Sequence, residues 1–139
     1  MALLSTFLRK QVPPKSQVRK RILIVDDDER VLFVLHKVLE RVNTGYEIVT
    51  ASNGHAALEA FADAPPDLVI TDLRMPEMDG IALTEAIRGQ DTNVIVVWIS
   101  AFGCHQVHKA AKRLDVYRCM NKPLAIQEIR KLVREALKS

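Results

Sequence analysis

Acidic side chains directly follow two runs of apolar residues that are typical of buried strands. Asp26, Asp27 and Asp28 follow the run ILIV at 22–25, and Asp72 follows LVIT at 68–71. Carboxylates brought together repel one another by about 4 kcal/mol per pair at a separation of about 4 Å and an effective dielectric constant near 20. Such a cluster needs either protonation or a cation, and Mg²⁺ is a divalent cation that prefers oxygen ligands. The sequence therefore predicts a magnesium site wherever these two strand ends meet.

A hydroxyl and an ammonium group follow two further apolar runs. Ser100-Ala101 follows VIVVWI at 94–99, and Asn121-Lys122-Pro123 follows VYRCM at 116–120. A carboxylate, a metal ion, a hydroxyl and an ammonium group directed at one point are the equipment for phosphoryl transfer. Asp72 stands alone at its strand end, and Pro76 disfavours a helical conformation at the preceding residue. Asp72 is therefore the candidate phosphoryl acceptor.

The elements that must position these residues alternate regularly along the chain. A fifth apolar run, YEIVTA at 46–51, joins the four above, and residues 29–42, 53–63, 80–88, 107–114 and 124–138 carry apolar side chains at helical spacing. Strands that are rich in β-branched residues and alternate with helices indicate βαβ crossovers and a parallel sheet covered on both faces. In such sheets ligands bind beyond the carboxyl ends of the strands, where all four candidate groups are expected.

The length and the charge distribution predict one folded domain with a basic extension. Leu3, Leu4, Phe7 and Leu8 predict a short amphipathic helix within residues 1–20, followed by a basic linker, whereas 21–139 form the domain. The whole chain carries a net charge of +3 and residues 1–21 contribute +6, so the remaining residues carry −3. The isoelectric point of about 9.0 thus reflects the extension and gives no argument for direct binding to nucleic acid.

Two further features bear on the location of the protein. Cys104 and Cys119 lack C-x-x-C spacing, so the sequence predicts neither a disulfide framework nor a zinc site and fits a reducing compartment. No apolar stretch approaches the roughly 20 residues of a membrane span. We therefore predict a cytoplasmic protein.

Four motifs occur in a fixed order: ILIVDDDE, LVITDLRMPEMDG, WISA and NKP. Together they resemble the receiver domain of bacterial two-component response regulators over roughly residues 21–138. This resemblance implies a flavodoxin-like, doubly wound α/β fold with five parallel strands in the order 2-1-3-4-5 and five helices. It also implies that Asp72 accepts a phosphoryl group from the phosphohistidine of a sensor histidine kinase or of a histidine phosphotransfer protein.

The same resemblance implies a role for each candidate site residue. The Mg²⁺ ligands would be Asp27, Asp72 and the backbone carbonyl of Arg74, with Asp26 acting largely through water. The phosphoryl group would contact Ser100, Ala101 and Lys122, and the Lys122–Pro123 peptide bond would be cis. Arg74 and Phe102 would flank the pocket and tune the lifetime of the phosphoryl group.

Two features depart from the pattern of the family. An aromatic residue often stands three positions before the lysine and swings inward on phosphorylation, but Cys119 occupies that position here, and Tyr117 could substitute for it. The usual Gly-Ala before the fifth strand is replaced by Asp115-Val116. The implied output is binding of a downstream protein, or of a second copy of the chain, through the surface formed by the fourth helix, fifth strand and fifth helix.

Two other functions compete with that of a phosphoacceptor signalling domain, which would catalyse only its own phosphoryl transfer and dephosphorylation. Asp26-x-Asp28 fits a Mg²⁺-dependent phosphatase with Asp26 as nucleophile. Against this, Arg30 replaces the expected Thr or Val, and the loop after Asp72 is left without a role. The third function is that of a receiver-shaped adaptor that works without phosphorylation.

Overall fold

A computed structural model describes residues 19–91 and 93–138, which form a parallel five-stranded sheet with five α-helices. The strands are β1 (Arg21–Val25), β2 (Glu47–Ala51), β3 (Leu68–Asp72), β4 (Ile95–Ser100) and β5 (Arg118–Asn121). Their order in the sheet is β2-β1-β3-β4-β5, which confirms the predicted topology. The predicted amphipathic helix near the N-terminus lies outside the described residues. No helix in the described ranges is long and apolar enough to cross a membrane.

The helices follow the predicted alternation with the strands. They are α1 (Glu29–Glu40), α2 (Gly54–Asp63), α3 (Gly80–Gln90), α4 (His108–Arg113) and α5 (Ile126–Ala136), with a 3₁₀ helix (Cys104–Val107) before α4. Side chains cap the N-termini of the first three: Asp28 for α1, Asn53 for α2 and Asp79 for α3. Each side chain accepts a hydrogen bond from a backbone N–H of the first helical turn, which that turn cannot satisfy internally.

Alternate residues of each strand point to opposite faces of the sheet, and each face has its own apolar core. On one face Ile22, Ile24 and Ile70 pack with buried side chains of α1 and α5. On the other face Val69 and Trp98 pack with α2 and α3. Because the central strands are buried on both faces, they have the nearly continuous apolar sequences of parallel strands.

The turn that leads into β5 is held by Arg88 of α3. Its guanidinium group donates hydrogen bonds to the carbonyl oxygens of Leu114 at 2.9 Å, Val94 at 2.7 Å and Asp115 at 3.1 Å. Asp115 itself adopts a positive φ of 54°, which aspartate tolerates better than most residues. One arginine thus anchors the chain before β4 and before β5, and this is how the turn forms without the small Gly-Ala pair.

The structure contradicts the expectation that the two cysteines form no disulfide. Cys104 and Cys119 are joined, with their Cα atoms 5.7 Å apart and a separation of 15 residues in sequence. Their spacing in sequence gave no hint of this because the contact depends on β4 and β5 being neighbours in the sheet. The pairing ties the loop after β4 to the last strand.

Candidate phosphoacceptor site

Three carboxylates meet at the carboxyl ends of β1 and β3. Asp26, Asp27 and Asp72 each offer an oxygen atom within 4.8 Å of the others. Asp26 and Asp72 are only 1% and 4% exposed, whereas Asp27 is exposed. Two of the acids are thus held in the protein interior and the third closes the cluster on the solvent side.

Lys122, which directly follows β5, reaches between the two buried acids. Its Nζ atom lies 3.4 Å from Oδ2 of Asp26 and 3.2 Å from Oδ1 of Asp72. Burial alone would lower the pKa of Lys122, but the charges of Asp26 and Asp72 outweigh it and raise that pKa above its ordinary value. The ammonium group therefore stays charged in the site. The peptide bond to Pro123 is cis, as the resemblance implies.

Asp26 is engaged through both carboxylate oxygens. Oδ1 accepts a hydrogen bond of 2.8 Å from the backbone N–H of Asp28, and Oδ2 faces Lys122. Burial raises the pKa of Asp26. The hydrogen bond from the Asp28 N–H lowers this pKa, whereas the negative charge of Asp72 raises it further. Asp26 is thus fixed in position by its surroundings.

Asp72 is bound less completely than Asp26. Its Oδ1 atom is buried and has no hydrogen-bond partner among the described residues, so the 3.2 Å contact with Lys122 is an ion pair without hydrogen-bond geometry. Burial raises the pKa of Asp72, an effect that the charge of Lys122 only partly offsets. A buried carboxylate oxygen without a full partner is a group available to an incoming ligand.

The donor set fits a divalent cation. Three carboxylates with oxygens this close, one of them reaching solvent, suit a hard cation that retains some water ligands. Burial is the largest cause of the raised pKa values of Asp26 and Asp72, so a cation that pairs with their charged forms would be favoured at this position. The cluster could therefore hold a metal ion.

We expect Asp72→Asn to stabilise the metal-free protein at neutral pH. The raised pKa of Asp72 means that its charged form opposes folding above that pKa. Replacing the buried charge of Asp72 by a neutral amide should increase the free energy of unfolding by about 1 to 2 kcal/mol and the melting temperature by roughly 3 to 8 °C. The difference should shrink as the pH falls through the raised pKa of the folded protein, and it should vanish below the ordinary aspartate pKa of about 3.9, where Asp72 is protonated in both the folded and the unfolded state.

Thermal melts in a chelating buffer at a series of pH values measure this effect. Asp79→Asn is the matched control, because Asp79 is exposed and its hydrogen bond to Ala82 N–H can be made by an amide oxygen. If both variants changed the melting temperature equally, the effect would not come from the acidic cluster.

Ser100 ends β4 and is buried, close to the lysine in the sheet. Its Oγ atom accepts a hydrogen bond of 3.2 Å from the backbone N–H of Phe102, and its carbonyl oxygen accepts one of 2.9 Å from Lys122 N–H. Ala101 is exposed at the start of the following loop. The hydroxyl group is therefore held by its own loop.

Arg74 and Phe102 form a contact across the two loops that follow β3 and β4. The guanidinium carbon of Arg74 lies 4.1 Å from the centre of the Phe102 ring, which is a cation–π arrangement. Both side chains are exposed, Phe102 to 57%. The sequence singled out both residues without indicating that they touch.

The two candidates for the aromatic switch position differ in environment. Cys119 is half-buried in β5 and takes part in the disulfide. Tyr117 precedes β5, is 42% exposed, and lies 5.7 Å from the Arg118 guanidinium carbon. Tyr117 is thus two residues further from the end of β5 that carries the site.

Comparison with known proteins identifies the family. The family model described as the response regulator receiver domain matches residues 22–134. The chain belongs to this receiver family.

Individual receivers agree with this assignment. The chain is 33% identical over 120 residues to sporulation initiation phosphotransferase F of Bacillus subtilis, covering 86% of this chain and 95% of that protein. It is 37% identical over 117 residues to regulatory protein AtoC of Escherichia coli, covering 84% of this chain but only 25% of AtoC. The chain thus spans a quarter of the length of AtoC and nearly all of the length of the phosphotransferase.

Solved structures show the same fold. The receiver domain of NtrX from Brucella abortus superposes with a TM-score of 0.77 at 30% identity, covering 85% of this chain and 98% of that one. The chemotaxis protein CheY4 of Vibrio cholerae superposes with a TM-score of 0.79, covering 86% of this chain and 99% of that one; at 24% identity it supports the fold alone.

Reasoning from sequence missed two features of this receiver. One is the Cys104–Cys119 pair, and the other is Asn121, whose Oδ1 atom accepts a hydrogen bond of 2.8 Å from Cys104 N–H. Both join the loop after β4 to β5. The only available signal was that Cys119 occupies the expected aromatic position.

Proposed function

We propose that this receiver accepts a phosphoryl group on Asp72 from the phosphohistidine of a sensor histidine kinase or histidine phosphotransfer protein, in a reaction that needs Mg²⁺. The observation that carries the proposal is the buried Oδ1 atom of Asp72, which lacks a hydrogen-bond partner among the described residues while it faces Lys122 and two other carboxylates. A nucleophile needs such an available oxygen atom.

In this reaction a carboxylate oxygen of Asp72 attacks phosphorus as the phosphorus–nitrogen bond of phosphohistidine breaks. The bonding electron pair stays on the imidazole nitrogen, and the product is an acyl phosphate. Bound Mg²⁺, held by Asp26, Asp27, Asp72 and the Arg74 carbonyl, would neutralise negative charge on the transferring group. Asp26 is fixed by the Asp28 N–H and so holds its place in the cluster.

Lys122 and Ser100 receive the transferred group. Lys122 already contacts Asp72 at 3.2 Å, so its ammonium group is in position to pair with a phosphoryl oxygen. Ser100 would turn its hydroxyl from the Phe102 N–H to donate to another phosphoryl oxygen, next to the backbone of Ala101. The added charge of about −1.5 to −2 then rearranges the loop after β4 and changes the surface of α4, β5 and α5.

A downstream protein or a second copy of the chain would bind this altered surface. The names of the relatives support a role in signalling, since one is a phosphotransferase and another a regulatory protein. A cytoplasmic location is part of the same proposal, because ATP, the substrate of the donor kinases, is found there.

The phosphatase alternative is disfavoured by the environment of Asp26. Both of its oxygens accept hydrogen bonds, at 2.8 Å from the Asp28 N–H and at 3.4 Å from Lys122, whereas Oδ1 of Asp72 accepts none from the described residues. A nucleophile must approach its substrate, and Asp26 would have to break both contacts to do so.

Intact-protein mass spectrometry tests the proposal directly. Wild-type protein is incubated with Mg²⁺ and acetyl phosphate, with and without an excess of chelator. We expect one added phosphoryl group with the metal and none with the chelator. No adduct with either acetyl phosphate or a phosphorylated histidine phosphotransfer protein as donor would contradict the proposal and favour the phosphorylation-independent adaptor.

Phe102→Ala is expected to shorten the lifetime of the phosphoprotein. The contact with Arg74 places the ring beside the site, where it hinders an attacking water molecule. We expect the more open path for water to speed hydrolysis about two- to fivefold, which corresponds to a barrier lower by about 0.5 to 1 kcal/mol. Mass spectrometry after removal of the donor measures the decay. Phe33→Ala, at an exposed phenylalanine of α1, is the control, and equal decay of both variants would contradict this role.

A further inference from the structure

One of the two cysteines follows β4 and the other lies in the neighbouring strand β5. Cys104 begins the 3₁₀ helix that follows β4, and Cys119 lies in β5 opposite Trp98 of β4. Their Cα separation of 5.7 Å is in the range that a disulfide spans without movement of the backbone. The pair therefore joins two segments that the sheet already brings together.

The cross-linked loop is the one that carries Ser100 and Phe102. Three contacts hold this loop to the end of β5: the disulfide, the hydrogen bond from Cys104 N–H to Asn121, and the one from Lys122 N–H to the Ser100 carbonyl. The Ser100 hydroxyl is meanwhile occupied by the N–H of Phe102. Any movement of Ser100 towards a phosphoryl group on Asp72 pulls on the short segment 101–104, which ends at the cross-link.

We propose that Cys104 and Cys119 form a reversible redox site whose closure holds the loop after β4 and opposes the rearrangement that accompanies phosphorylation of Asp72. The effect of the disulfide on phosphorylation, which we call the coupling, rests on the proposed function of Asp72. Closure of the disulfide itself does not depend on that function. The reduced protein is then the responsive form and the oxidised protein the restrained form. Many members of the family have, at the position of Cys119, the aromatic residue that moves on phosphorylation. In this chain the disulfide is therefore formed at that switch position.

The redox step is a thiol–disulfide exchange with a small disulfide such as oxidised glutathione. One cysteine thiolate attacks a sulfur of the oxidant, which forms a mixed disulfide and releases one glutathione thiolate. The second cysteine then attacks the mixed disulfide at the protein sulfur and releases the second glutathione thiolate. Two protein thiols lose two electrons and two protons in total, and one glutathione disulfide becomes two glutathione thiols.

Both sulfur positions allow this exchange. Cys104 and Cys119 are both half-buried rather than enclosed in the core. A small thiol or disulfide can therefore reach the pair from solvent. In a compartment rich in reduced glutathione the pair is expected to open, and under oxidising conditions to close.

Closure is measured first, without phosphorylation. Wild-type full-length protein is equilibrated with oxidised or reduced glutathione, labelled with N-ethylmaleimide and analysed by intact-protein mass spectrometry. We expect two labels after reduction and none after oxidation, with the oxidised protein lighter by two hydrogen atoms. Two labels, or stable glutathione adducts, after oxidation would overturn the redox site.

Phosphorylation is then compared between the two forms. With Mg²⁺ and acetyl phosphate, we expect the oxidised wild type to take up the phosphoryl group about tenfold more slowly than the reduced form, which corresponds to a barrier higher by about 1.4 kcal/mol. The double variant Cys104→Ser/Cys119→Ser should react at one rate under both conditions, which controls for other effects of the oxidant.

The outcomes separate the two proposals. A disulfide that closes while both forms react equally fast would overturn the coupling and leave the function of Asp72 intact. A disulfide that closes in a protein that takes up no phosphoryl group in either form, from acetyl phosphate or from a phosphorylated histidine phosphotransfer protein, would overturn the proposed function and the coupling with it. Equal sensitivity of the wild type and the double variant to oxidation would likewise overturn the coupling.

Discussion

Asp72→Asn is expected to take up no phosphoryl group from acetyl phosphate, whereas Asp26→Asn still forms the adduct at a reduced rate. An amide in place of the Asp72 carboxylate has no anionic oxygen to attack phosphorus, so the adduct should disappear completely. Asp26 is buried and fixed by the Asp28 N–H, and in the proposed mechanism it acts on the metal ion largely through water. Loss of a residue that supports a metal ion without binding it directly commonly lowers metal affinity or reaction rate by about ten- to a hundredfold.

Intact-protein mass spectrometry of both variants beside the wild type measures this contrast. Asp79→Asn is the control, since Asp79 caps α3 from an exposed position and the variant should react like the wild type. The opposite result, an adduct that survives in Asp72→Asn and is lost in Asp26→Asn, would replace the receiver mechanism with that of the phosphatase.

Gly80→Ala is expected to destabilise the protein by about 3 kcal/mol. A Cβ atom at this position would overlap the backbone carbonyl oxygen of Asp72 and would lie 2.9 Å from Cα of Leu73. Both atoms belong to the backbone at the end of β3, which Gly80 also contacts by donating a hydrogen bond of 3.0 Å to Leu73 O. The strand end must shift to admit a methyl group, so phosphorylation of Asp72 should also slow.

Urea denaturation measures the change in stability, and Gly89→Ala is the matched control in the same helix. No atom lies within 4 Å of a Cβ at Gly89, and alanine is the better helix former by about 1 kcal/mol. Gly89→Ala should therefore be as stable as the wild type or slightly more so. If Gly80→Ala were equally well tolerated, the close packing of α3 against the acidic strand end would not contribute to stability.

The fold was predictable from sequence because its determinants are local. The apolar runs of β1, β3 and β4 are buried on both faces, and such runs are recognisable without any knowledge of the neighbouring strand. Predicted and observed strands differ most at β5, which runs from Arg118 to Asn121 rather than from 116 to 120. Residues 115 and 116 belong instead to the turn that Arg88 holds, and a hydrogen bond from a distant helix leaves no local pattern.

The composition of the site was also predictable, since every candidate group stands at the end of a strand and parallel strands end at one edge. The contacts between loops were not. The stacking of Arg74 on Phe102 and the joining of Cys104 to Cys119 each involve residues from separate loops or strands. Such contacts depend on how loops fold over the sheet edge, which neither periodicity nor spacing records.

The buried indole of Trp98 gives the protein a built-in optical probe. It is the only tryptophan of the chain, and its Nε1 donates a hydrogen bond of 2.8 Å to Thr84 Oγ, which in turn donates to the carbonyl oxygen of Gly80. The residue lies opposite Cys119 of β5, and disulfides quench the emission of a neighbouring indole. The intrinsic tryptophan fluorescence of the wild-type protein therefore originates from one defined point, between the acidic strand end and the cysteine pair, and changes at either place can be followed in real time without an added dye.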